Sequence, residues 1–135
     1  MRGLRFATLF ATLVVSACAG GNDYVVIGGA RVPSTAGLLT VDADEGSSEL
    51  ELTMEFLPAP QTLSHKLTHY VAWILPTQGD PVRLGALHYV ARERTASLSA
   101  KGIGVPYTVV VTAESSATPS TPSAHVVSET AVSAN

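Results

Sequence analysis

The sequence predicts an all-β fold: a small antiparallel β-sandwich, Ig-like, of about seven strands, behind an N-terminal signal peptide. Three observations predict it. Short runs rich in Val, Ile, Leu, Thr and Tyr recur along the chain, separated by Gly, Pro and Asp turns. One run, Glu49–Phe56, alternates strictly between apolar and polar residues, the period of a strand with one buried face. No stretch after Cys18 carries the periodicity of an amphipathic helix.

Each element follows from local chemistry. Ala19–Asp23 is a polar tether, with residues 18–23 placed before a domain of residues 24–135. Tyr24–Ile27 is a β-branched run ended by Gly28-Gly29, and Leu38–Val41 is a second, ended by the acidic turn Asp42–Gly46. In Glu49–Phe56, the alternation turns Leu50, Leu52, Met54 and Phe56 inward and Glu49, Glu51, Thr53 and Glu55 outward. Leu57–Thr68 contains two prolines and is a loop. Tyr70–Leu75 is apolar on both faces, as in a central strand, and forms a hairpin with Val82–Tyr89 across the Pro76–Pro81 turn. Thr95–Ser99 is a weaker strand expected at an edge, and Lys101–Pro106 is a Gly/Pro loop. Tyr107–Thr112 is strongly β-forming and is expected to pair with His125–Val132. Between them lies Ser115–Ser123, rich in Ser, Thr and Pro; it is a loop of the last hairpin or the start of a tail, and the apolar residues after it favour the loop.

With 135 residues the chain has one domain's worth of length. Its formal charge is -3, and -5 without Arg2 and Arg5. An acidic surface argues against nucleic acid, which is bound largely by Lys and Arg neutralising phosphates. No segment after residue 18 approaches the roughly 20 apolar residues of a spanning helix.

The N-terminus reads in three parts. Arg2 and Arg5 are followed by the apolar run Phe6–Val15 and then by Ser16-Ala17-Cys18. This positive, apolar, small-residue order is that of a secretory signal peptide covering residues 1–17. Val15-Ser16-Ala17-Cys18 resembles the bacterial lipobox. The resemblance implies cleavage between Ala17 and Cys18, a diacylglyceryl group on the Cys18 thiol, and acylation of the freed amine. Two or three acyl chains anchor a protein stably where one does so only marginally. Cys18 is the one cysteine, so no disulfide is available, and lipidation removes the liability of a free thiol outside the cell. The implied partner is the membrane, and the implied location is the cell envelope. In enteric-type sorting, Ala19 points to an outer membrane, facing the periplasm, if the cell has two.

The order YVAWILPTQGDPVRLGALHY, then Tyr107–Val111 leading into Thr112-Ala113-Glu114, then a Thr/Pro/Ser loop before Val126-Val127, resembles the extracytoplasmic C-terminal domain of anti-sigma-K-type factors. The resemblance covers residues 69–132 and implies a small β-sandwich with a sensing or partner-binding role in the envelope. It brings no catalytic residue with it. The family's sigma-binding domain and membrane-spanning helix have no counterpart in this sequence, which argues against a direct anti-sigma role.

The remaining candidates are few. His65 and His69 are four apart and would share one face of a helix, as zinc sites need, with His88 and His125 as further ligands; the prolines nearby place them in a loop instead. Asp42, Asp44 and Glu45 offer oxygen ligands, but Gly46 stands where a calcium loop needs its next carboxylate. Trp73 and Tyr70 read as core rather than as a ligand groove. No serine sits in a Gly-x-Ser-x-Gly elbow, and no helix follows Gly28-Gly29 to cradle a phosphate. The expectation is a non-enzymatic, lipid-anchored binding or structural module without a cofactor, working with an envelope protein partner. The alternatives are an envelope metal-binding protein using His65 and His69, or an accessory of an envelope-stress sensing system.

Overall fold

The computed structural model describes residues 21–134. They form two antiparallel sheets facing one another. In chain order the strands are β1 (Asn22–Ile27), β2 (Ala36–Asp44), β3 (Ser47–Glu55), β4 (His69–Pro76), β5 (Val82–Ala86), β6 (His88–Val90), β7 (Thr95–Ile103), β8 (Tyr107–Glu114) and β9 (Val126–Val132). One sheet has the order β1-β2-β3-β7-β6, the other β5-β4-β8-β9. A single turn of 3-10 helix, Pro60–Thr62, is the one helical element among the described residues. The all-β sandwich is thus as expected, with nine strands rather than seven. The first strand starts at Asn22, inside the span assigned to the tether.

The five-stranded sheet is built on alternation. In β3, Ser48, Leu50, Leu52 and Met54 are buried and the residues between them are exposed. Leu39 and Val41 on β2 and Val26 on β1 point into the same core. The opposing sheet supplies Tyr70, Ala72 and Ile74 from β4 and Tyr107, Val109, Val111 and Ala113 from β8. At roughly 25 cal/mol per Å² of apolar surface removed from water, this layer dominates stability. Tyr107 closes one end of it. Ser48 donates its single hydroxyl proton to the Ile103 carbonyl at 2.6 Å, so Tyr107, 2.8 Å away, is the donor to Ser48 Oγ. At the other end Tyr70 and Tyr89 meet edge to face, with centroids 5.8 Å apart. They donate to the Pro58 and Leu57 carbonyls and so pin the long loop after β3.

Four expectations are corrected. Phe56 does not continue the inward row of β3: its φ is 56° and its side chain is 58 % exposed, while Leu57 is fully buried in its stead. Val82–Tyr89 is not one strand. β5 pairs with β4, then the chain crosses at Leu87 and β6 pairs with β7 in the other sheet. Gly85, at φ 146°, adopts a backbone conformation that L side chains rarely take, just before that crossing and opposite a bulge at Ala72/Trp73. Thr95–Ser99 is neither short nor an edge; β7 runs to Ile103 between β3 and β6, so Lys101–Ile103 belongs to a strand. Asp42 and Asp44 lie within β2 rather than in a turn, which narrows to Glu45-Gly46. The pairings of β4 with β5 and of β8 with β9 are as expected.

Both seams between the sheets are tied. On one side the β5–β6 crossing links them. On the other, Gly28 bridges Ser128, and the Gly29 N–H donates to the Val127 carbonyl at 2.8 Å. Strand directions then give the molecule two ends. Asn22 and the short connections at residues 45–46, 77–81 and 104–106 lie at one; the longer segments 28–35, 56–68, 91–94 and 115–125 lie at the other.

Candidate functional site

The two outer faces differ. On the four-stranded sheet, Val71, Trp73, Val110, Thr112 and Glu114 point away from the sandwich core yet are buried. What covers them is the Ser/Thr/Pro segment between β8 and β9. It leaves β8, reaches β5 on the far side, where the Arg83 guanidinium donates to the Pro119 carbonyl, and returns to β8 at Ser123. It therefore crosses β4 above Trp73 and acts as a strap. Trp73 was expected in the core, and it is fully buried, but under this strap rather than between the sheets.

A polar chain latches the strap. Trp73 Nε1 donates to Thr112 Oγ1 at 2.9 Å, and Thr112 passes its own proton to Glu114 Oε2 at 2.5 Å. The same carboxylate oxygen accepts the Ser123 backbone N–H at 2.9 Å, and Ser123 Oγ donates to the Ala113 carbonyl. Glu114 is only 5 % exposed, so its buried side-chain oxygen needs these donors. No buried side-chain polar atom among the described residues is left without a partner.

The outer face of the five-stranded sheet is bare. Its middle carries a depression of about 570 Å³ lined by Thr40, Asp42, Glu49, Glu51, Ser99 and Lys101 among others, open to solvent and carrying three carboxylates against one lysine. Its far corner is apolar. Val25 and Leu38 sit directly opposite each other on β1 and β2, and Ile27 stands opposite Ala36. Val25 is 72 % and Ile27 69 % exposed, and Leu38 and Phe56 are exposed too. Phe56 follows Glu55, which pairs with Ala36, and the Phe56 carbonyl accepts from Thr35 Oγ1 at 2.8 Å, so its backbone borders the same corner. Four of the five large apolar side chains exposed among the described residues are gathered here, the fifth being Val82. Scattered exposed apolar residues are ordinary; a group of them on an edge strand marks a surface suited to contact. Period-two alternation alone could not have found it, because it assigned Phe56 to the core.

The residues singled out from sequence are dispersed. Ala17 and Cys18 lie outside the described residues. His65 is exposed in the loop before β4, and His69 is the exposed first residue of β4, its Nδ1 2.8 Å from Thr68 Oγ1. His88 lies on β6 in the other sheet, and His125 sits 2.7 Å from an Arg31 guanidinium nitrogen at the β1–β9 seam. That contact makes Nδ1 of His125 the acceptor, since a guanidinium can only donate. Among the described residues no three His, Cys, Asp or Glu side chains are grouped to hold a metal ion. Asp42, Asp44 and Glu45 line a hairpin end, where Asp44 accepts the Glu45 N–H.

Three phenols have raised pKa values. Tyr70 is pushed up chiefly by burial and then by the neighbouring Tyr89. Burial raises Tyr89, against the opposing pull of Arg94. Burial also raises Tyr107, with the Ser48 hydrogen bond acting the other way. All three belong to the ends of the core.

No family model matches the chain, and no curated protein matches it. No helix among the described residues is long and apolar enough to cross a membrane.

Proposed function

We propose that the protein is a lipid-anchored β-sandwich of the cell envelope with a non-enzymatic binding role, and that the apolar corner Val25-Ile27-Leu38-Phe56 is the surface it binds with. The observation that carries the binding role is the gathering of Val25, Ile27, Leu38 and Phe56, all exposed, at one corner of the five-stranded sheet. A contiguous exposed apolar group beside an edge strand is the kind of surface that partners cover.

Anchoring rests on the Arg2/Arg5, Phe6–Val15 and Val15–Cys18 pattern. Geometry adds a consequence. Three residues separate Cys18 from Asn22, so the anchored sulfur and the start of β1 lie within about 14 Å of one another even fully extended. A lipid on Cys18 holds the Asn22 end beside the bilayer and turns the opposite end, where the corner sits, away from it. The resemblance of residues 69–132 to the anti-sigma-K-type extracytoplasmic domain fits the same role, with a protein of the envelope as partner.

The test is site-specific photocrosslinking in intact cells. A photoreactive residue at position 25 or 38 is expected to give a discrete adduct with one envelope protein, and the same residue at position 99 none. The adduct should vanish when Ile27→Asp is added. Equal labelling from all three positions would remove the corner from the proposal.

A further inference from the structure

We infer that the strap is a site of O-linked sugar attachment, with Ser115, Ser116, Thr118, Ser120 and Thr121 as acceptors and Ser123 excluded. The inference rests on the export reading, since it needs a sugar donor outside the cytoplasm.

The strap sorts its residues by face. Ala117, Pro119 and Pro122 are half-buried against the sheet, whereas Ser115, Ser116, Thr118, Ser120 and Thr121 are exposed. Proline fixes φ and cannot join a strand ladder, and the segment, bent at residues 115–118, 120, 121 and 124, stays unpaired while lying on the sheet. Ser/Thr-rich, Pro-containing stretches are the composition of O-glycosylated segments. The hydroxyls themselves divide the same way. Ser116 Oγ only accepts, from the Thr118 N–H at 3.1 Å, and keeps its own proton. Ser123 Oγ is committed to the Ala113 carbonyl at 3.0 Å and is half-buried. A sugar on Ser123 would break the latch; a sugar on the five others projects into solvent. Thr53, Ser97 and Ser99 are also exposed, but they sit in strand ladders, Thr53 and Ser97 paired on both edges and Ser99 with Glu51, where the backbone cannot enter a transferase groove.

The chemistry is a glycosyl transfer from a lipid-phosphate-linked sugar. The serine or threonine oxygen attacks the anomeric carbon, and a C–O glycosidic bond forms. The bond from that carbon to the donor phosphate breaks, the phosphate leaves with the electron pair, and a base of the transferase takes the hydroxyl proton. Sugars here would shield the strapped face and leave the bare face and its apolar corner open.

The experiment is intact mass spectrometry of the full-length gene product purified from the envelope of the cell that makes it, with fragmentation to map sites. The expected result is a ladder of masses spaced by one hexose, mapped to residues 115–121 and lost when the five acceptors are replaced together by Ala. Those replacements are at exposed positions, so a denaturation midpoint near that of the unaltered protein checks that the variant folds. A single unmodified mass, a spacing of one phosphate, or sugar on Ser97, Ser99 or Ser123 overturns the inference. The same spectrum reports export separately. Loss of residues 1–17 without a hexose ladder sinks this inference alone; a polypeptide retaining residues 1–17 and bearing no sugar sinks both.

Discussion

Phe56 and Trp73 exchange the places that their neighbours suggest. Phe56 ends an inward row and faces outward; Trp73 sits on an outer face and is fully buried. The cause in the first case is backbone: a left-handed residue ends the alternation, and the next residue, Leu57, takes the core site. Phe56→Gly removes an unfavourable φ together with the buried part of the ring; the two effects, each about 2 kcal/mol, nearly cancel, so thermal unfolding should shift little while crosslinking from position 25 falls. In the second case the cause is the latch. Thr112→Val keeps the shape of the side chain but leaves the buried Trp73 N–H without its acceptor and Glu114 with only the Ser123 N–H as donor. A loss of ~1–3 kcal/mol in urea denaturation is expected, with the Trp73 fluorescence altered before the global transition. The phenols set a pH limit. Tyr70, Tyr89 and Tyr107 have folded pKa values above the ordinary tyrosine value of about 10. Below that pH they are neutral in both states and contribute no pH dependence. Above it the unfolded chain releases protons that the folded chain retains, so stability falls as pH rises past about 10. Tyr70→Phe should flatten that alkaline decline in denaturation midpoints, at the cost of the bond to Pro58.

Among the elements, β1 and the strap divide the molecule's outside between them. β1 pairs with β2 along its length and is tied to β9 just past its end, where Gly28 bridges Ser128, with Val25 and Ile27 pointing outward. Val25→Asp should leave the unfolding free energy within about 0.5 kcal/mol, because the position is exposed. Val26→Asp buries a charge at a site that is 1 % exposed and should prevent folding. A Val25→Asp variant as unstable as Val26→Asp would show that the corner is structural. The same elements show how far sequence reading reached. Alternation located β3 and its inward Leu50, Leu52 and Met54, because one face meets a core and the other water. β4 was legible as a central strand for the opposite reason, being apolar on both faces. The crossing at Leu87 was not legible, because β5 and β6 form one apolar run and only the pairing partners change. The length of β7 was hidden by Lys101 and Gly102, which read as a loop but lie across from Glu49 and Ser48. The strap's path was hidden as well, since a Ser/Thr/Pro composition says nothing about Arg83 and Glu114 holding it down. The corner depended on pairing register, which places Val25 beside Leu38.

At the scale of the whole molecule, the arrangement is polar from end to end. Asp23, Asp42, Asp44, Glu45 and Asp80 gather around the Asn22 end, whereas the other end mixes Arg31, Lys66, Arg92 and Arg94 with Glu55, Glu93 and Glu114 and is close to neutral. Under the proposed lipid anchor on Cys18, an acidic end beside an anionic bilayer is repelled, which favours a molecule standing on its tether over one lying flat. That orientation depends on a lipid at Cys18. The most direct measurement is metabolic labelling with a radioactive or clickable palmitate, followed by membrane fractionation, of the natural chain and of Cys18→Ser. The expected result is label on the natural chain, co-sedimentation with membranes after a high-salt wash, and loss of both in Cys18→Ser. A natural chain that takes up no label, or a Cys18→Ser chain that remains labelled and membrane-bound, would contradict it.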